Sequence, residues 1–183
     1  AGAGVGSPAC FFVAVHGHYW TANPNRGLYR TLDGGVTWKH VLYVDERTGA
    51  NDVVIAPSDP SVVYATTWED YPGVSGPMSG VWKSEDGGET WRRLGGGLPD
   101  GPKTGRIGVA VSASDPAKAY VLVDNLNRDE TRAAEVYRTA DGGATWTRTH
   151  AADLFIFPRI GWYFADIYLN PRDDEEVYAL GVR

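Results

Sequence analysis

Three short segments carry the residues best suited to bind or convert a ligand: His16-Gly-His-Tyr-Trp20, Trp68-Glu-Asp-Tyr71 and Asp124-Asn-Leu-Asn-Arg128. Carboxylates and imidazoles can transfer protons, and aromatic rings can stack against a sugar or another apolar surface. His16 and His18 are two positions apart, so on an extended strand both side chains point to the same side. The three segments therefore predict a site that combines ionisable and aromatic groups.

More than one kind of chemistry fits these segments. Glu69 and Asp124 could act as the acid and base of a glycoside hydrolase, with Trp68 or Trp162 as sugar platforms. The two histidines could instead bind a metal together with Glu69 or Asp70. Histidines in loops more often bond a neighbouring loop or face solvent, so we expect neither a metal site nor a cofactor.

The elements that position these segments are set by an octapeptide that occurs three times, here called the Gly-Gly turns. They are Thr31-Leu-Asp-Gly-Gly-Val-Thr-Trp38, Ser84-Glu-Asp-Gly-Gly-Glu-Thr-Trp91 and Thr139-Ala-Asp-Gly-Gly-Ala-Thr-Trp146, spaced by 53 and then 55 residues. Asp-Gly-Gly favours a tight hairpin, because glycine accepts positive φ and the carboxylate can accept hydrogen bonds from the turn. The spacing suits one four-stranded propeller blade per repeat.

A second repeated pattern, strand then Pro/Asp turn then strand, lies between the Gly-Gly turns, as in Ile55–Pro60 and Val111–Pro116. The two patterns together predict an all-β fold. It is a propeller-type array of four-stranded antiparallel blades, with strands A to D, in a single domain over residues 1–183. Two blades are complete (51–95 and 106–150), and they are flanked by a B-C-D fragment (9–43) and an A-B fragment (162–182).

Composition restricts the partners. The 183 residues carry a net charge of −6 and contain no run of basic residues, which argues against nucleic acid or an anionic membrane as the partner. A single cysteine, Cys10, excludes an internal disulfide.

An incomplete set of blades leaves open sheet edges, which propellers remove by closing a ring of ~4–8 blades. Either the chain is part of a longer protein, or the A-B end of one chain completes the B-C-D start of another. The second alternative predicts a homodimer that closes a six-bladed ring.

The Gly-Gly turns resemble the Asp-box, or BNR repeat. From Phe11 to Val182 the chain resembles large bacterial sortilin-like BNR-repeat propellers, often called glycosyl hydrolases; the segments Gly27–Gly35, Val41–Ala50 and Gly105–Gly108 carry the likeness. The resemblance implies a β-propeller, and it favours a secreted or periplasmic location. It does not specify the chemistry, since one fold serves many functions. A sialidase-type site would need an arginine triad, and no motif connects Arg26, Arg106 and Arg159.

In that family the box is structural and lies away from the active site. The resemblance thus implies that the box aspartates hold the C-D hairpins and that the box tryptophans pack against them: Asp33, Asp86, Asp141, Trp38, Trp91 and Trp146. Ligands are then expected at the opposite face, in the B-C and D-A loops. The expected ligand-binding residues are His16, His18, Trp20, Trp68, Tyr71, Arg106, Arg159, Trp162 and Tyr163.

We therefore predict a binding scaffold for a carbohydrate, protein or peptide, because such a module needs no special catalytic constellation. The alternative is a glycoside hydrolase that uses Glu69 and Asp124 in the B-C loops.

Overall fold

The computed structural model describes residues 9–128, 133–152, 154, 156, 161, 163 and 165–181. Within these residues, thirteen strands form four antiparallel sheets. Sheet 1 contains β1 (Phe11–Val15), β2 (Gly27–Thr31) and β3 (Lys39–Leu42). Sheet 2 contains β4 (Thr48–Ile55), β5 (Val63–Glu69), β6 (Gly80–Ser84) and β7 (Arg92–Leu94). Sheet 3 contains β8 (Thr104–Val111), β9 (Ala119–Asn125), β10 (Ala133–Thr139) and β11 (Thr147–Arg148), and sheet 4 contains β12 (Asp166–Asn170) and β13 (Asp173–Leu180).

The strand order confirms the predicted fold class. Sheets 2 and 3 are complete A-B-C-D blades, sheet 1 is a B-C-D fragment and sheet 4 an A-B fragment. Among the described residues there is no helix that could cross a membrane. Because strand direction alternates, the Gly-Gly turns and the A-B turns share one end of the sheets, here called the turn face. The B-C and D-A connections share the other end, here called the loop face.

Each Gly-Gly turn is closed by its aspartate. In the second turn Asp86 accepts hydrogen bonds from the Thr90 amide (2.9 Å), the Thr90 hydroxyl (2.5 Å) and the Ser84 hydroxyl (2.7 Å). Gly87 and Gly88 have φ of +72° and +87°, which glycine adopts without strain. The same bonds recur around Asp33 and Asp141. The turns are therefore self-contained hairpins.

These hydrogen bonds favour the ionised carboxylates. The side chain of Thr37, then its amide, lowers the pKa of Asp33 to about 2. The equivalent threonines lower the pKa of Asp86 and of Asp141. Each turn is also tied to the preceding A-B turn, as by Gly87 N to the Ser61 carbonyl (2.8 Å). The aspartates therefore stabilise the hairpins in which they lie.

The core lies between successive sheets. Each sheet has a front face, directed to the next sheet in the chain, and a back face, directed to the preceding one. Between sheets 2 and 3, Tyr64 and Leu94 pack from the front of sheet 2 against Val121, Val123 and Trp146 on the back of sheet 3, and all five are buried. Sheets 2 and 3 are covered on both faces, so their B strands are buried along nearly their whole length.

Candidate functional site

His16 and Trp68 form an aromatic contact between sheets 1 and 2 at the loop face. Their rings are 5.5 Å apart and nearly perpendicular, and His16 also stacks on Tyr19 at 6.1 Å. Trp68 is fully buried and donates its indole N–H to the Val74 carbonyl (2.9 Å). A Cβ added to Gly49 would lie 2.7 Å from His16 Cα, so only glycine lets β4 approach this closely. This contact makes Trp68 part of the core.

A buried ion pair lies beside this contact. Arg26 donates from Nη1 to Asp70 Oδ1 and from Nη2 to the carbonyls of His18 (2.6 Å) and Thr21 (3.3 Å). The side chains of Arg26 and Asp70 are 0% and 1% exposed. The pair joins the B-C loops of sheets 1 and 2, and it is not among the contacts predicted from the sequence. The only feature of the sequence that pointed to this ion pair was a cationic residue in one B-C loop and an anionic residue in the next.

Burial changes the protonation of this region. It raises the pKa of Asp70 to about 6, against the opposing effect of the Arg26 guanidinium. Burial, reinforced by the positive charges of Arg106 and Arg26, lowers the pKa of His16 to about 4. His16 is therefore neutral at neutral pH, in surroundings that oppose its protonation.

We expect acid to destabilise the fold through His16. Its folded pKa lies below the usual histidine value of 6.5, so this contribution to stability is complete above pH 6.5 and is lost as pH falls towards 4. The loss should reach about 2–3 kcal/mol. Denaturant titrations of the wild type and His16→Gln measure it, because the difference between the two proteins should shrink across this window. The raised pKa of Asp70 changes stability in the opposite direction between pH 3.8 and 6, but Asp70 is present in both proteins, so its effect cancels in the difference. A stability difference that stays constant with pH would contradict the prediction.

An open cleft of about 600 Å³ lies between the D-A loop that precedes β4 and the B-C loop that follows β5. It is lined by Ala22, Tyr43, Val44, Asp45, Glu46, Arg47, Glu69, Tyr71, Pro77 and Met78. Glu69 accepts a hydrogen bond from the Met78 amide (3.0 Å), which fixes one of its carboxylate oxygens. The cleft therefore combines two tyrosine rings with carboxylates and a guanidinium. Tyr43, which is not among the site residues predicted from the sequence, lies just after β3.

The other predicted site residues that the structure describes do not line this cleft. His18, Trp20 and Tyr163 are exposed, and Trp20 is 87% exposed. Arg106 donates to the Tyr163 carbonyl and to Asp166 (3.2 Å), so it joins sheets 3 and 4. Arg159 and Trp162 lie outside the described residues. Within the described part of the chain, no three His, Cys, Asp or Glu side chains form a group that could hold a metal ion.

The predicted carboxylate pair is not gathered into this cleft. Glu69 lines it, whereas Asp124 is fully buried at the end of β9 and Gly105 packs against it. A role for Asp124 in contact with a ligand would require its exposure. The pairing of Glu69 with Asp124 stays a prediction.

Comparison with known families decides the relationship. Residues 26–177 match the model of the family described as Sortilin-Vps10 (sortilin, neurotensin receptor 3), which is more than half of the chain. The chain belongs to the Sortilin-Vps10 family. Two curated relatives are 26% identical over 87% of this chain: a xyloglucanase of Paenibacillus sp. and the xyloglucanase Xgh74A of Acetivibrio thermocellus. The chain spans only 18% and 22% of their lengths.

Solved structures agree on the fold of this Sortilin-Vps10 chain. It superposes on the GH74 xyloglucanase of Xanthomonas campestris with a TM-score of 0.66, at 19% identity, over 96% of this chain and 24% of that one. The GH74 enzyme of Niastella koreensis gives 0.62 at 21% identity, over 87% and 24%. At this identity the likeness establishes the propeller architecture.

Proposed function

We propose that this chain binds a carbohydrate at the loop face, in the cleft between sheets 1 and 2. The main support for this proposal is the composition of that cleft, which is lined by Tyr43 and Tyr71 together with Glu69 and Arg47. Sugars present apolar C–H faces with hydroxyls at their edges, so a ring to stack on and carboxylates to accept hydrogen bonds are complementary to them. The carbohydrate-active relatives support this ligand class, and their xyloglucan is the first polysaccharide to test.

The charge in the cleft favours a neutral saccharide. Asp45, Glu46 and Glu69 contribute three carboxylates against one guanidinium from Arg47. An acidic glycan would be repelled by this net negative charge, whereas the hydroxyls of a neutral glycan can donate hydrogen bonds to the carboxylates. We therefore expect xyloglucan oligosaccharides to bind and uronic-acid polymers not to bind.

Tyr43→Ala should weaken xyloglucan-oligosaccharide binding about tenfold, which is about 1.4 kcal/mol, because it removes an exposed ring from the cleft wall. Titration calorimetry of the wild type and the variant measures the change. Tyr178→Ala is the matched control, since Tyr178 on β13 is 48% exposed and Tyr43 is 47% exposed. Equal affinities of all three proteins would contradict the proposed cleft, and wild-type binding of uronic-acid polymers alone would contradict the ligand class.

The second candidate is glycoside hydrolysis, favoured by the position of Glu69 in the cleft. Its signature would be release of reducing ends by the wild type and none by Glu69→Gln, with binding retained. Binding without turnover would contradict hydrolysis and would leave carbohydrate binding as the only proposed function.

A further inference from the structure

The buried ion pair between Arg26 and Asp70 connects the three segments that line the cleft between sheets 1 and 2. These walls are the β1–β2 connection, residues 43–47 between β3 and β4, and the end of β5 with the β5–β6 connection. Neither residue of the pair lines the cleft, and neither side chain is more than 1% exposed. The pair can therefore act on the cleft only through its walls.

Arg26 fixes the first wall, the β1–β2 connection. Its guanidinium donates a hydrogen bond to the carbonyl of Thr21 (3.3 Å), which directly precedes the cleft residue Ala22. One position further on, the amide of Asn23 donates to the carbonyl of Glu46 (2.9 Å), which lines the cleft from residues 43–47. The first wall is thus held by the guanidinium and tied to the second.

Asp70 fixes the other two walls. It lies between Glu69 and Tyr71, which both line the cleft. Its amide donates to the carbonyl of the cleft residue Arg47 (3.3 Å). The Met78 amide donates to the Glu69 carboxylate (3.0 Å), which extends the constraint to the other end of the β5–β6 connection. One ion pair therefore joins positions that lie on, or next to, all three walls.

We infer that Asp70 is a positioning residue of the carbohydrate cleft, whose ion pair with Arg26 holds the three walls at the spacing that binds a saccharide. This role rests on the proposed carbohydrate function. Without the carboxylate charge, the link between the β1–β2 and β5–β6 connections is weakened, and the rings and carboxylates of the cleft no longer converge on one ligand. A cleft that is ordered before binding has the higher affinity, because ordering it during binding costs free energy.

Protonation of Asp70 breaks the same link without a mutation. Burial raises the pKa of Asp70 to about 6, against the opposing effect of the Arg26 guanidinium. The other ionisable side chains on the elements that meet here are His16, Arg47 and Glu69, and burial lowers the pKa of His16 to about 4. We expect affinity to be about tenfold lower at pH 5 than at pH 8, because about a tenth of Asp70 stays ionised at pH 5.

Titration calorimetry with a xyloglucan oligosaccharide at pH 5–8, and amide hydrogen exchange of the free proteins, test this role. Asp70→Asn removes the charge and keeps the shape of the side chain. It should bind about tenfold more weakly than the wild type at pH 8. It should also lose the part of the pH dependence that Asp70 causes, while it keeps the part due to the cleft carboxylates. In the free variant the amides of Asn23, Met78 and residue 70 should exchange about tenfold faster.

Glu135→Gln is the matched control, because it removes a buried carboxylate elsewhere. Glu135 in sheet 3 is 3% exposed and pairs with Arg128 and Arg148, both at 3.1 Å. This variant should keep the wild-type affinity, pH dependence and exchange at the cleft. The double variant Arg26→Met, Asp70→Leu replaces the test protein if Asp70→Asn does not fold, because apolar side chains can pack in place of the charges. It cannot donate to the wall carbonyls, so it should be folded and still bind weakly at every pH.

The outcomes separate the positioning role from the proposed function. Wild-type affinity and wild-type exchange in a folded Asp70→Asn or double variant overturn the positioning role. Equal weakening of binding by Glu135→Gln also overturns it, because the effect would then follow from lost stability alone. Faster exchange at the three amides, together with no binding of the oligosaccharide by the wild type, supports the positioning of the walls and contradicts the carbohydrate function. Unchanged exchange and no binding contradict both.

Discussion

Asp70→Ala is expected to lower the free energy of unfolding by about 3–5 kcal/mol, because it leaves a buried guanidinium without its carboxylate. Arg26 is fully buried, and its remaining acceptors among the described residues are the carbonyls of His18 and Thr21. Those dipoles do not neutralise the charge, and the Arg26 side chain is not exposed to solvent. Denaturant titration at pH 7, at constant slope, measures the loss.

Two further variants separate charge from packing. Asp100→Ala removes an exposed loop-face carboxylate and should change stability by less than about 0.5 kcal/mol. The double variant Arg26→Met, Asp70→Leu replaces both charges by apolar groups and should recover most of the lost stability. A cost below about 1 kcal/mol for Asp70→Ala would show that the ion pair is open to water in solution.

The second large effect is a contrast between equivalent tryptophans. Trp146→Ala should cost about 3–5 kcal/mol, since it empties a site in the core between sheets 2 and 3. Trp38→Ala should cost about 1 kcal/mol or less, because Trp38 is 45% exposed and its only described hydrogen bond is to the Gly35 carbonyl of its own turn.

Denaturant titration of the wild type and the two variants, at one protein concentration, measures both costs. Similar costs for the two tryptophans would contradict the difference in burial between these equivalent positions.

The repeats made most of the fold predictable. Asp-Gly-Gly with a threonine four positions after the aspartate specifies a hairpin by local hydrogen bonds, as at Asp86 and Thr90. The period of the repeat then set the number of strands per blade. Local chemistry therefore fixed where each strand begins and ends, to within a few residues at strand A.

The candidate site was less predictable, because it depends on contacts between loops far apart in sequence. Trp68 was expected to bind ligand, but its ring fills the space between two sheets. Asp70 was considered only as a possible metal ligand, yet it pairs with Arg26, 44 positions earlier. Side chains in unique loops have no second copy in the chain from which their environment can be inferred.

The sequence by itself determined the blades, their order and the face on which the turns lie, since these follow from short-range hydrogen bonding and periodicity. Tertiary structure alone decided which equivalent residues are buried. Trp38 and Trp146 occupy the same position in the same octapeptide, but burial depends on whether another sheet packs on that face. It also decided that Glu69 lines a cleft while Asp124 is enclosed, because exposure is a property of neighbouring loops rather than of residue type.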